Sequence, residues 1–545
     1  MKDKILEYIK KNKFALILTL IYGVFIIIFS FFHEVWRDEV RALNYATEAR
    51  SLLDLFHNLK VGNEGHPALW HVLLYIGYNI FHTTVILKVL NIIISIAAIY
   101  IFLAFSPFTK FQKTLFVFGF FPFYQFSIVN RSYSLIMLLL FLMCLLYQKR
   151  IQHILLFSFI LALLANTHSI SIFITYAFFI SLVTEYILSF SKTYRNKYQF
   201  KHPITIVSFF IVMLGILFSF YVGFPDQNVT YTQYYNLDFD TILQLLKKVF
   251  LLPALYLYRI MGLSQTYFLA ILFFIYCIYL FLLKPVQFII FYLGMVVIEI
   301  FFNAAYYPRT WHLGIVYIFI ISIFWVDLLI TPESWLSSKP LFKITNFFKN
   351  KFIIYKNFYI TILLIIQVSY ALPAIYNDLN NDFSSSEILA NDIKNDIIMK
   401  NAIIVSEPDE YAESLMYYID NKIYIPREGR FGKTVRWSLK YTKTFFSLDE
   451  LLQAVSSVSA QFKKPVVIIT TYRDLGINGP FVKDITQGRI FTYDEASLMR
   501  FLEQTVLFKN YKDASGFDDV SGMHLENYDV YIYPKDYAER FKQGN

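Results

Sequence analysis

Asp38 and Glu39 stand side by side just after the first apolar run of the chain, Phe14 to Phe32, in the stretch Phe32-His33-Glu34-Val35-Trp36-Arg37-Asp38-Glu39. Two carboxylates at the point where a membrane ends and water begins are costly to place unless they act. A positioned carboxylate can take the proton from a hydroxyl as that hydroxyl attacks an electrophilic carbon. Asp38 is the candidate base. Glu39 points elsewhere whether the backbone is extended or helical, so its expected part is to orient the acceptor or Asp38. The alternative is that both carboxylates sit in the first turn of a helix, where negative charge is favoured.

Downstream, Glu64-Gly65-His66-Pro67 and His71 offer carboxylate and imidazole, common ligands of a divalent metal ion, although their spacing matches no specific zinc pattern. Gly and Pro also mark a turn, and His66 can equally bind a phosphate or hold the loop. Arg131 and Arg309, with His312, suit a phosphate, because guanidinium offers fixed paired donors and a departing phosphate needs its charge stabilised. The alternative for these arginines is snorkelling or a lipid headgroup. His168, in Ala165-Asn166-Thr167-His168-Ser169, is a ligand or a helix cap.

These residues must be positioned by a membrane scaffold. The 545 residues are 57% hydrophobic and 19% aromatic, with a mean hydropathy of +0.48. Repeated apolar runs of spanning length make this a polytopic helical membrane protein. The net charge of +9 lies mostly in short loops, where it orients helices and attracts anionic lipid rather than nucleic acid. Cys144 and Cys277 both fall in apolar runs, which leaves no disulfide framework and no thiolate metal site. Lys2, Lys4, Lys10, Lys11 and Lys13 precede a run too long for a signal peptide, so the first helix is expected to stay uncleaved.

Placing the lysine-rich N-terminus inside puts Asp38 and Glu39 outside, in a long external loop over 33–83. Its first part, Val40 to Leu59, has apolar residues at roughly helical spacing and predicts a surface-lying helix; Ala68 to Phe81 predicts an interfacial one. Spans follow at 84–105, 113–128, 132–147, 151–166, 169–190, 204–224, 264–283, 286–303, 312–330 and 358–376, with 242–262 a second surface or broken segment. Lysines 339 to 356 occupy an inside loop. The result is about eleven spans with the C-terminus outside. Asp38, Glu39, Glu64, His66, His71, Arg131, His168, Arg309 and His312 then all fall on the outer face, a bias that scattered structural polar residues would lack.

Residues 1–376 form the membrane domain, and 377–545 have the composition of a soluble one, starting with a polar linker over 377–386. Ala402 to Val405, Lys422 to Ile425, Pro465 to Thr470 and Tyr528 to Tyr533 predict strands. Ser447 to Ser459 and Tyr493 to Val506 predict helices, the first with Ser447 as N-cap and Glu450 at the capping-box position. This alternation predicts a small α/β domain. It carries no nucleotide-cofactor motif. Asn130-Arg131-Ser132 and Asn228-Val229-Thr230 match N-glycosylation sequons, the first too close to the membrane for an acceptor.

Trp36-Arg37-Asp38-Glu39 followed by Glu64-Gly65-His66-Pro67-Ala68-Leu69-Trp70 resembles the first external loop of the C-type (GT-C) membrane glycosyltransferases. The branch it looks most like holds the bacterial relatives of protein O-mannosyltransferases and lipid A aminoarabinose transferases. Arg131-Ser132-Tyr133-Ser134-Leu135, Ala165-Asn166-Thr167-His168 and Pro308-Arg309-Thr310-Trp311-His312 share the resemblance, which covers about 30–330. It implies a GT-C fold and a polyprenyl-phosphate sugar donor. It further implies transfer on the extracytoplasmic face with inversion at the anomeric carbon, and Asp38 as general base. It places the chain in a bacterial plasma membrane, N-terminus cytoplasmic and C-terminal domain extracytoplasmic. The aminoarabinose branch has a metal near its donor phosphate, but Glu-Gly-His-Pro here replaces that branch's Lys-Pro form. Sugar identity and acceptor class (lipid, glycan or protein) are not implied. Competing readings are a transporter or flippase of lipid-linked glycans, which would place charges near mid-membrane and show inverted repeats, and a non-catalytic membrane anchor for the C-terminal domain.

Overall fold

A computed structural model of the chain describes residues 2–230, 243–244, 248–249, 263–304, 308–330, 341–470, 475, 482–485, 489–512, 514 and 526–536. The membrane part opens with helices α1 (Lys2–Lys11) and α2 (Lys13–Phe32). Helix α2 buries Ala15, Leu18, Thr19, Tyr22, Ile26 and Ser30 at spacings of three and four, and leaves Leu20 and Phe31 70% and 83% exposed. That is the pattern of a helix with one face on a bundle and the other on lipid. Next come α3 (Arg37–Glu48), α4 (Leu52–Val61), α5 (Leu69–Phe81), α6 (Ile86–Phe105) and α7 (Lys110–Val117). After them run α8 (Tyr133–Leu146), α9 (Ile154–Ala165), α10 (Ser169–Leu188), α11 (His202–Gly223), α12 (Leu263–Leu283) and α13 (Pro285–Ala304). Helices α14 (Thr310–Leu329) and α15 (Leu341–Asn380) complete this part. Among the described residues, seven helices are long and apolar enough to cross a membrane, and α5, α8, α9 and part of α12 are shorter apolar helices. Helix α14 is apolar on every side and buried on every side, the signature of a central helix.

Four expectations change. The surface helix over 40–59 is two helices, broken before Ser51, whose hydroxyl accepts from Asp54 N at 3.1 Å to cap α4. Helix α3 does not lie on the membrane surface: Glu39 to Ala46 are all buried, because the soluble domain covers the face that the membrane bundle leaves open. The span over 113–128 ends as a helix at Val117 and continues as a π-turn, Phe120–Gln125. Pro122 lacks the N–H a regular helix needs. In an apolar setting the freed groups must be satisfied by neighbours. Tyr22 of α2 donates to Pro122 O at 2.9 Å, Ser127 donates to the same oxygen at 2.7 Å, and Gln367 of α15 accepts from Phe121 N at 3.3 Å. Finally, the lysines expected in a loop before 358 are in part helical, since α15 starts at Leu341 and runs through 376 to Asn380. Most of 225–241 and of 242–262 lies outside the described residues.

The C-terminal part is an α/β domain. After α16 (Ser386–Asn395), strands β1 (Ile403–Glu407), β2 (Ile423–Ile425), β3 (Arg430–Phe431), β4 (Phe445–Ser447), β5 (Val466–Thr470), β6 (Val482–Ile485), β7 (Arg489–Thr492), β8 (Val506–Tyr511) and β9 (Tyr528–Tyr533) alternate with helices α17 (Leu448–Phe462) and α18 (Glu495–Gln504). The main sheet has the order β3-β2-β1-β5-β9-β8, with β2, β1 and β5 parallel and the outer strands antiparallel to their neighbours. Alternate residues of β1 serve opposite cores: Ile404 packs with Leu389 and Ala412, Ile403 and Val405 with Leu451 and Val455. The capping box of α17 forms as its sequence predicts, Ser447 and Glu450 exchanging hydrogen bonds.

The domain is stitched onto α3. Arg41 Nη2 donates to Val435 O at 2.9 Å and Asn44 Nδ2 to Glu413 O at 3.0 Å. Trp437 N donates to Gly62 O at 3.0 Å, and Arg37 N to Glu526 Oε1 at 2.9 Å.

Candidate active site

Between the membrane helices and the soluble domain lies a cavity of about 260 Å³. Its position follows from three local structures. Helix α3 begins at Arg37, so Asp38 and Arg41 fall one turn apart on one face. Gly65 holds a φ of +76°, which favours glycine, and turns the chain so that Glu64 and His66 face inward. Gly223, ending α11, lets that turn approach closely, as a Cβ there would sit 3.1 Å from Pro67 N. The third structure is the break after α7. Asn91 of α6 ties it down, donating to Ser127 O and Val129 O at 3.0 and 3.2 Å, and so presents Asn130 and Arg131.

Seven of the nine candidates line this cavity: Asp38, Glu64, His66, His71, Arg131, His168 and His312. Arg131 Nη1 lies 3.1 Å from Asp38 Oδ2, and Arg37 Nε lies 3.5 Å from Asp38 Oδ1. His66, His168 and His312 form a row, with ring centroids 4.6 and 5.7 Å apart. Burial pushes His66 down to about 4 against the pull of Glu64, and burial together with its neighbours drives His168 well below the usual imidazole value. Those two are neutral at pH 7. His168 Nδ1 accepts from Ile170 N at 3.2 Å, and His312 Nδ1 accepts from Arg309 N at 3.1 Å. A neutral imidazole with an accepting Nδ1 carries its hydrogen on Nε2. His168 therefore caps α10 and also offers an Nε2–H, which is buried and has no partner among the described residues. The N-termini of α10 and α14 meet at this row, adding two positive dipole ends. With Arg131, this end of the cavity suits an anion.

Arg309 and Glu39 do not line the cavity. Arg309 is the N-cap of α14. Glu39 is fully buried, turned away because neighbouring helix positions differ by about 100°. Its part is structural. Glu39 Oε2 accepts from Asn130 N and Nδ2 at 2.6 and 2.7 Å, and Oε1 lies 2.9 Å from His33 Nε2. His33 Nδ1 lies 3.0 Å from Asp378 Oδ2 of α15. Burial works against charging His33, but Asp378 and Glu39 hold it up to about 10, so both ring nitrogens are protonated at neutral pH. This Asp378–His33–Glu39 chain fixes the residue before Arg131. Removing one partner of a buried charge network costs about 3–5 kcal/mol. Asp378→Ala is expected to lower the melting temperature of the purified protein clearly, and Asp378→Asn, which keeps an oxygen for His33 Nδ1–H, to lower it less.

Sequence reasoning missed Arg37, Arg41, Glu410, Glu413 and Trp437, all of which line the cavity. The spacing of Arg37 and Arg41 around Asp38 was a usable signal, since positions four apart share a helix face. Arg41 Nε donates to Glu64 Oε2 and Arg41 Nη1 to Glu413 Oε1, both at 2.6 Å. Against its burial, Arg41 holds Glu64 down to about 2. Among the described residues no group of three His, Cys, Asp or Glu lies together as a ready set of protein metal ligands, and Glu64 pairs with Arg41.

Fold and site together define a polytopic helical membrane protein with a polar cavity roofed by a soluble α/β domain. No family model matches the chain, and no curated protein matches it. Among solved structures it is similar to the crystal structure of ArnT from Cupriavidus metallidurans bound to undecaprenyl phosphate, at 10% identity and a TM-score of 0.42, over 96% of this chain and 98% of that one. A likeness that distant carries no argument about this chain's chemistry.

Proposed function

We propose that the protein is an inverting glycosyltransferase that takes a sugar from a polyprenyl-phosphate donor and passes it to an acceptor on the extracytoplasmic face. One observation carries this reading. The same cavity is lined by apolar side chains, Ile172, Phe173, Phe220, Phe224 and Phe301, as well as by Asp38, Arg131 and the histidine row. Such a space fits a lipid tail and its phosphate together, with the sugar beyond.

In this reading the donor phosphate sits against Arg131 and the Nε2–H groups of His168 and His312. An anion there competes for the guanidinium that holds Asp38, which frees the carboxylate to act. The acceptor hydroxyl attacks the anomeric carbon from the face opposite the phosphate, and Asp38 takes its proton. The bond from the anomeric carbon to the phosphate oxygen breaks, and polyprenyl phosphate leaves as an anion paired with Arg131. The resemblance of the Asp38 and Glu64–Trp70 segments to GT-C enzymes supports the reading, as does the orientation expected from loop charges.

A polyprenyl phosphate with a photoreactive group in its tail tests it. Labelling is expected at Phe173 and Phe301, and is expected to be competed by unmodified polyprenyl phosphate. Labelling confined to the outer surfaces of α2 and α11 would contradict the reading.

A further inference from the structure

The cavity has a second polar end whose atoms the proposed transfer does not use. In open α/β sheets, ligands bind outside the carboxyl ends of the parallel strands. Here that edge of the soluble domain faces the membrane part. Strand β1 runs out at Glu407 into Pro408, and the following turns place Glu410 and Glu413 in the cavity wall. Glu413 is 3% exposed. Its Oε1 accepts from Arg41 Nη1 at 2.6 Å and from Val435 N at 2.7 Å, while Oε2 is buried with no hydrogen-bond partner among the described residues.

His71, also in this wall, pairs through Nε2 with Glu64 Oε1 at 3.9 Å, and its buried Nδ1 has no hydrogen-bond partner among the described residues. Buried polar atoms are almost always satisfied, so Glu413 Oε2 and His71 Nδ1, two unpaired atoms in one cavity wall, ask for a ligand. The charge there opposes the histidine row: Glu64 and Glu413 face one guanidinium, Arg41. An anion is unsuited to this end. A hydroxyl both donates and accepts, and so serves a carboxylate oxygen and an imidazole at once.

We infer that Glu413 and His71 form a hydroxyl-binding subsite in the roof of the cavity that takes a neutral sugar. This deepens the glycosyl-transfer reading and rests on it for the origin of that sugar, the donor's own or the acceptor's. Arg41 lies one helical turn from Asp38, so a sugar held here lies beside the base. The soluble domain thereby supplies part of the substrate site.

Glu413→Gln is the clean probe. The amide oxygen can keep Arg41 and Val435, and the NH2 replaces the orphan acceptor with a donor. In nanodiscs, the affinities of a bare polyprenyl phosphate and of a hexose-linked one are compared for wild type, Glu413→Gln and His71→Gln. A neutral disaccharide is titrated separately onto protein loaded with the bare lipid and read by saturation-transfer NMR. A tenfold or greater loss for the hexose-linked lipid, with the bare lipid unchanged, establishes the subsite for the donor sugar. Unchanged lipid affinities with loss of disaccharide binding establish it for the acceptor. If both variants match wild type with every ligand, or wild type neither prefers the hexose-linked lipid nor binds the disaccharide, the subsite is overturned. A wild type that binds no polyprenyl phosphate overturns the transfer reading instead, and the same disaccharide titration on lipid-free protein then decides the subsite.

Discussion

An Asp38→Asn variant is expected to transfer sugar about 10²- to 10⁴-fold more slowly than wild type while holding the lipid donor almost as tightly. The substitution changes little except basicity. Asparagine keeps an oxygen where Asp38 Oδ2 meets Arg131 at 3.1 Å, so the local packing survives. What is lost is the basic, charged carboxylate that takes the acceptor's proton, and that loss is felt chiefly in the transition state. The signature is therefore a fall in single-turnover rate at saturating donor, with the donor dissociation constant changed only a few-fold. An equal fall in affinity and rate would make Asp38 a binding group. Glu39→Gln should behave differently. It disturbs the pair with His33 and the hold on Asn130, so it is expected to lower stability and to act on the reaction only through Arg131.

Arg131→Ala is expected to lower turnover by about 10²- to 10³-fold, and unlike the Asp38 change it should also weaken donor binding. Arg131 lies beside the histidine row and also touches the carboxylate of the base. Its charge meets the phosphate in the ground state and more strongly as the anion departs. Arg131→Lys should recover only part of the loss, because an ammonium cannot present the paired donors of a planar fork. Comparing polyprenyl phosphate affinity with turnover in the two variants separates these contributions. An Arg131→Ala protein that binds and turns over donor like wild type would remove the phosphate from this end of the cavity.

Much of the site could be read from the sequence because its residues hang on features the sequence displays. Asp38, Glu64 and His66 flank a helix end and a Gly-Pro turn, and Arg131, His168 and His312 lie beside apolar runs. Grouping them required only counting spans and loop charges, and the structure brings them to one cavity. The turn and cap alternatives are also what the backbone shows. His168 caps α10 through Nδ1 and also lines the cavity, so a cap residue can stand in a site.

The rest was hidden for physical reasons. Which of two adjacent carboxylates faces the cavity depends on where α3 starts, and a one-residue shift would have exchanged Asp38 and Glu39. The end of α7 and the π-turn after it depend on Tyr22, Ser127 and Gln367 satisfying freed backbone groups, which no local pattern announces. The roof residues Glu413 and Trp437 come from hundreds of positions away and arrive only because α3 is a buried layer rather than a surface helix. Periodicity alone cannot tell those apart, since an amphipathic helix can rest on lipid or beneath another domain.

The most direct measurement is the fate of a labelled polyprenyl-phosphate sugar incubated with the purified wild-type protein and a competent acceptor or water. Polyprenyl monophosphate is expected to appear as sugar leaves the lipid, and the sugar is expected to emerge with its anomeric configuration inverted. Retention of configuration, or donor that remains intact under conditions where it demonstrably binds, would contradict the proposed transfer.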